Sequence, residues 1–156
     1  MLFKKKKEAT ETQQPKKALL YRENVKVGCK PESKEHAIRQ VGQMLADSGY
    51  VGQSYVDAMV EREKSFSTYM GNGLALPHGV EAAKKEVKAS GIAVLICPEG
   101  VGWGDGNEAQ VIIGIAGEGD DHLEILSNIA EKMLDDTATE QLLSGDADLV
   151  YRILAG

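Results

Sequence analysis

A chain of 156 residues, 42% apolar, can build one domain around a proper core and is too short for two. Its net charge of −6 is unevenly spread: residues 1–17 hold six lysines and two glutamates, net +4, which leaves −10 on the rest. An acidic body argues against a nucleic-acid surface, no apolar run reaches the 18 residues that a membrane span needs, and two separated cysteines without a CxxC pattern point to reduced thiols in a cytoplasm.

Residues 1–17, MLFKKKKEATETQQPKK, carry a basic cluster with no apolar stretch behind it. They read as a solvated, flexible tail and not as a secretory signal, with the folded domain over residues 18–156. Residues 25–29 alternate weakly in the manner of a strand. Ser33 is placed to cap a helix reaching about residue 48, with Ala37, Val41, Met44 and Leu45 on one face and Gly49 at its end. A second helix, capped by Ser54 with Asp57 three residues on, is expected to reach about residue 64. Its apolar positions are Tyr55, Val56, Met59 and Val60. Leu74 and Leu76 form a short buried strand, and residues 80–88 are polar and helix-like. Two apolar runs follow, SGIAVLICP and AQVIIGIAG, and neither alternates, which is the pattern of central strands covered on both faces. The segment between them, EGVGWGDGNE, reads as a turn-rich loop. Gly119, Asp120 and Asp121 cap a helix whose apolar positions are Leu123, Leu126, Ile129, Ala130 and Met133, and two shorter helices fall near residues 137–143 and 147–154. Helices alternating with buried strands predict a single α/β domain, with a mixed, mostly parallel central sheet and helices on both faces.

The chemistry concentrates at GNGLALPHGV, residues 71–80. Pro77 fixes its own φ and pushes Leu76 toward an extended conformation, while Gly79 admits a close approach or a positive φ. His78 is thereby expected at a strand end, on a stiff corner open to a visitor. A plain structural turn is the competing explanation. His36, third in the first helix beside Glu32 and Glu35, is accounted for as a surface residue. His122 opens a helix, where an imidazole N–H and free backbone N–H groups together suit a phosphate, although an exposed first-turn residue explains it equally. Other chemistries lack their patterns. The spacing GxGxxG does not occur, and the looser GxGxxA at Gly104, Gly106 and Ala109 precedes a strand where a helix is required. There is also no P-loop, no HExxH or Cys/His cluster for zinc, and no GxSxG elbow. Histidine nucleophilicity is what remains, with neither a metal nor an organic cofactor called for.

GNGLALPHG resembles the active-site segment of the enzyme IIA domains of the bacterial sugar phosphotransferase system, of the mannitol/fructose type, with the phosphorylated histidine at His78. The upstream stretch AMVEREKSFSTYMGN is similar to the same families, and the arginine of its RE dipeptide, which lies near the active site there, is Arg62. The downstream stretch PEGVGWGDGNEAQVIIGIAGEGDDHLEILSNIA resembles the mannitol-specific branch, whose second active-site histidine matches His122. The likeness spans about residues 19–154. One departure is Asn72, where some mannitol-type domains are acidic.

The resemblance implies a phosphocarrier. His78 takes a phosphoryl group from phospho-HPr through Nε2 and passes it to a cysteine of an enzyme IIB or IIBC mannitol permease, through which alone the chain meets the membrane. His122 donates a hydrogen bond to the phosphoryl oxygens. Arg62 supplies positive charge, or else makes a surface salt bridge to Glu61 or Glu63. Tyr69, Met70, Leu74 and Trp103 are candidates for an apolar rim around His78, with a core position as the alternative for Trp103. The chain is expected to be free-standing and cytoplasmic. Two other roles stand beside that of phosphocarrier: a regulatory nitrogen-type or fructose-type phosphoprotein, which shares the histidine segment, and an inactive α/β interaction domain. The flanking stretches favour mannitol.

Overall fold

Along one strand Ile92, Val94 and Ile96 alternate with Ala93, Leu95 and Cys97, and all six are buried. A strand covered on both faces belongs in the middle of a sheet with helices above and below. In the computed structural model, which describes residues 17–79 and 81–155, that strand is β4 (Gly91–Gly104). It lies in a five-stranded sheet with β1 (Val25–Lys26), β2 (Tyr69–Gly71), β3 (Leu74–Ala75) and β5 (Asn107–Ala116), in the order β1-β4-β5-β3-β2. Residues 1–16 of the expected tail, Val80 of the expected polar helix and Gly156 lie outside the described residues.

The sheet is mixed as expected, but evenly so: β1–β4 and β3–β5 are parallel, β4–β5 and β2–β3 antiparallel. The expectation of a mostly parallel sheet is corrected by the segment read as a loop. Residues 99–104 continue β4, and the chain reverses over only Asp105 and Gly106, whose φ values are 55° and 78°. Two successive residues with positive φ make the hairpin turn whose twist matches paired strands. The Asp-Gly dipeptide carried that signal. A register shift between Ile96 and Val101 lets the long strand bend.

Helices α1 (Lys34–Asp47) and α2 (Ser54–Ser65) cover one face of the sheet. Ile38, Val41, Leu45, Tyr55, Met59 and Val60 pack there with Ala93, Leu95 and Ile112. Burying an aliphatic side chain of this size stabilises by about 2 kcal/mol. The Ser33 cap forms as expected, its hydroxyl accepting from the His36 N–H at 3.1 Å. His36 returns the contact, Nδ1 accepting from the Glu32 N–H at 3.0 Å, so this histidine is spent on closing a helix end. Ser54, expected as a cap, is instead the first helical residue of α2. The polar segment after the histidine corner forms a 3-10 turn, Glu81–Glu86.

The other face is covered by α3 (Asp121–Lys132), α4 (Asp136–Leu142) and α5 (Ala147–Ala155). Ile125, Ile129, Leu142, Val150 and Leu154 meet Ile92, Val94, Ile113 and Ile115. Leu123, expected inside, is 59% exposed. The inward positions are Ile125 and Ile129, and two residues along a helix rotate a side chain by about 200°.

Candidate functional site

β3 and β5 run parallel, Leu74 opposite Val111 and Ala75 opposite Ile112, so both deliver their C-terminal ends to the same edge of the sheet. The β3 line continues through buried Leu76 and Pro77 and pairs once more at His78, opposite Ile115. There the Ile115 N–H donates to the Pro77 carbonyl at 2.9 Å. His78 therefore stands at a strand end, as the corner predicted, but half-buried where an open position was expected. β5 leaves the same edge one residue later, and α3 begins at Asp121. Its second residue, His122, faces His78 with ring centroids 6.3 Å apart and planes inclined by 33°. Parallel strand direction is what joins two histidines separated by more than forty positions in the chain.

Nδ1 of His78 lies 2.8 Å from the Leu76 carbonyl oxygen. A carbonyl only accepts, so Nδ1 carries the proton and Nε2 keeps its lone pair. Burial, above all, lowers the His78 pKa below 6.5. The Leu76 bond and Glu63 oppose that shift, while the charges of Arg62 and His122 add to it. Such an imidazole is neutral and nucleophilic at neutral pH.

The glycine after the histidine serves close approach, since its φ is not positive. A Cβ at Gly79 would lie 2.6 Å from the Tyr55 ring. Its N–H donates to the Tyr55 hydroxyl at 2.9 Å, and that hydroxyl donates to the Ile115 carbonyl at 3.0 Å. Tyr55 had been legible only as one apolar position on its helix. The available signal was that a buried phenol demands a partner for its oxygen.

His122 is presented by a tightly folded loop. A Cβ on Gly117 would come within 2.3 Å of the His122 backbone nitrogen, so the loop turns back hard against the helix start. The Ser90 hydroxyl holds that turn, accepting from the Glu118 N–H at 2.9 Å and donating to the Asp121 carboxylate at 2.7 Å. Nδ1 of His122 is buried and makes no hydrogen bond among the described residues.

Arg62 sits in the last turn of α2, with Nη1 donating to the Phe66 carbonyl at 3.0 Å and its guanidinium 5.6 Å from the Phe66 ring centre. The salt bridge to Glu61 or Glu63 that the sequence left open is not formed among the described residues, because both carboxylates are engaged elsewhere. Glu61 pairs with Lys64 at 2.8 Å. Glu63, 5% exposed, accepts from the Thr68 N–H and hydroxyl and from the Trp103 indole N–H, with the Lys34 ammonium at 3.4 Å. The Arg62 charge is near enough to His78 to lower its pKa.

The expected apolar rim is corrected at Leu74, and Trp103 takes the core position that was its alternative. Leu74 and Trp103 are 4% and 1% exposed and belong to the core. Met70 is exposed, and Tyr69 is half-buried, its hydroxyl accepting from the Gly73 N–H and donating to the Glu108 carbonyl. Phe66, whose ring lies against the Arg62 guanidinium, and Leu123, next to His122 in the chain, are also exposed apolar residues. Asn72 (φ 52°) forms the turn into β3, a conformation asparagine tolerates better than most residues.

The family model "Phosphoenolpyruvate-dependent sugar phosphotransferase system, EIIA 2" matches residues 18–156. The chain is 48% identical over 130 residues to the mannitol-specific phosphotransferase enzyme IIA component of Bacillus subtilis (strain 168), covering 83% of this chain and 91% of that protein. Its fold is similar to the crystal structure of IIA mannitol from Escherichia coli, with TM-score 0.81 and 36% identity over 86% of this chain and 98% of that one. The NMR structure of the complex of enzyme IIAMTL and phosphorylated enzyme IIBMTL from Escherichia coli gives TM-score 0.83 at 36% identity, covering 88% of this chain and 97% of the matched one.

Proposed function

The chain belongs to the EIIA 2 family of the phosphoenolpyruvate-dependent sugar phosphotransferase system, and from that premise we propose that Nε2 of His78 is the atom on which it carries a phosphoryl group. Its role is that of the mannitol enzyme IIA: it accepts the group from phospho-HPr and hands it to a cysteine of enzyme IIB, for mannitol uptake and phosphorylation. The observation that supports His78 most directly is the Leu76 carbonyl on Nδ1, which leaves Nε2 as the free lone pair.

Transfer proceeds as the Nε2 lone pair attacks phosphorus and the bond to the donor breaks, its electrons leaving with HPr. The loose transition state asks mainly for alignment and for charge on the phosphoryl oxygens. Phosphorylation makes the ring cationic, and the Nδ1–H bond to Leu76 then becomes charge-assisted and shorter, which steadies the intermediate. His122 and Arg62 act on the phosphoryl oxygens, the first as hydrogen-bond donor and the second as positive charge. Passage to the acceptor cysteine reverses the same steps.

The cytoplasmic location we assign rests on two features. Among the described residues no helix is long and apolar enough to cross a membrane, and Cys29 and Cys97 are both free thiols. The span of the family match supports residues 18–156 as the carrier domain.

Incubation with phosphoenolpyruvate, enzyme I and HPr tests the site. The intact mass rises by one phosphoryl group, and His78→Ala abolishes the gain. A variant that still takes up the group places the acceptor elsewhere.

A further inference from the structure

We infer that Tyr55 is a positioning residue for phosphoryl transfer, its hydroxyl setting the gap between the corner that bears His78 and the strand end that leads to His122. This rests on His78 being the phosphoryl acceptor. Where β3's continuation meets β5, the Ile115 N–H reaches the Pro77 carbonyl directly. The next rung of a parallel ladder would join the Gly79 N–H to the Ile115 carbonyl. Into that rung the structure inserts the phenol of Tyr55, which accepts from Gly79 and donates to Ile115. One hydroxyl oxygen thus spans the two segments from which the facing imidazoles depart.

The arrangement is specific in two respects. Tyr55 is 4% exposed and projects from α2, so its oxygen is fixed by the packing of a helix on the sheet. Its one donor and one acceptor function are both satisfied at ordinary lengths, and burial raises the phenol pKa, which keeps the proton in place as pH rises. Gly79 is the complement, because a Cβ there would strike the ring. A phenylalanine would fill the same volume and leave the Gly79 N–H and Ile115 carbonyl either unpaired or drawn together. In both cases His78 changes its setting against the Leu76 carbonyl and against His122.

Tyr55→Phe is the test, with phosphoryl uptake from phospho-HPr followed by rapid quench and the His78 ring nitrogens followed by 15N NMR. The expected result is uptake slowed about threefold to tenfold at saturating phospho-HPr, the range that one neutral hydrogen bond corresponds to, with KM unchanged. The nitrogen shifts of His78 should move from a pure Nδ1–H form toward a mixture of tautomers. Uptake within twofold of the parent, a rise of KM in place of the rate loss, or a rate loss with unmoved His78 shifts overturns the inference. His78→Ala run alongside separates the two ideas: uptake by that variant refutes the acceptor assignment, whereas an inert His78→Ala with a fast Tyr55→Phe refutes only the role of Tyr55. Should Tyr55→Phe fail to fold, the parent protein decides. Its Tyr55 hydroxyl proton must exchange slowly enough with water to be observed directly, and a freely exchanging one overturns the proposal.

Discussion

Replacing Glu63 by alanine removes a buried carboxylate that ties the end of α2 to the start of β2, one residue from Arg62. Three donors lose their acceptor: the Thr68 N–H at 2.9 Å, the Thr68 hydroxyl at 2.5 Å and the Trp103 indole N–H at 3.0 Å. Each stranded donor costs about 1–3 kcal/mol when it stays dry, and water entering the vacated space returns part of that. The Lys34 ammonium, 3.4 Å from Glu63 on a side chain one-third exposed, rehydrates readily and adds little. The expected loss is about 3–5 kcal/mol, the cost of the three stranded donors less what entering water returns. At about 2–4 °C per kcal/mol for a domain of this size, the melting temperature should fall by roughly 10 °C. Glu63→Gln keeps the shape: its carbonyl oxygen accepts from Thr68 and Trp103, and its amide donates to the Thr68 hydroxyl. Only charge assistance is lost, about 1–2 kcal/mol. Urea unfolding read from the fluorescence of Trp103, the one tryptophan, measures both variants at the network itself. An alanine variant losing less than about 1 kcal/mol, or a glutamine variant as unstable as alanine, would refute the reasoning.

Because burial holds the His78 pKa below 6.5, phosphoryl uptake should persist below the pH at which a free imidazole protonates; an acid midpoint at or above 6.5 contradicts this. The same depression links to stability with a definite sign. As pH falls below 6.5 the unfolded chain binds the proton first, so the contribution of His78 is complete above that value and is lost as pH drops through the folded pKa, which urea midpoints across the window report. His122→Ala should slow uptake by about 10–1000-fold while the mass still rises by one phosphoryl group, and an unchanged rate removes His122 from the mechanism. Gly117→Ala forces a methyl against the His122 backbone and should cost about 1–3 kcal/mol together with a slower transfer; a stable variant with parental rates shows that the loop yields.

How far the residues announced this structure depended on distance along the chain. The first helix and its Ser33 cap were readable because cap, apolar stripe and terminating glycine lie within one local pattern. The two central strands were readable because burial on both faces erases alternation. Their hairpin was not recognised, although Asp105-Gly106 carried its turn chemistry, because the glycines around Trp103 suggested a loop where β4 and β5 in fact pair. Leu123 was misplaced since apolar spacing alone leaves the phase of a short helix open, and packing on the sheet put Ile125 inside instead.

The site divides along the same line. Pro77 and Gly79 flank His78 directly, so the stiff corner at a strand end was a property of the sequence by itself, and so was the elimination of nucleotide and metal motifs. The pairing of His78 with His122, the choice of Leu76 as the carbonyl on Nδ1, the phenol of Tyr55 between two strands and the burial of Glu63 were decided only by tertiary structure. A backbone corner depends on the dihedral preferences of adjacent residues, which are written in order. A hydrogen bond or a facing ring depends on which strand ends share an edge, and that follows from the register of β3 on β5, set by the packing of the whole sheet.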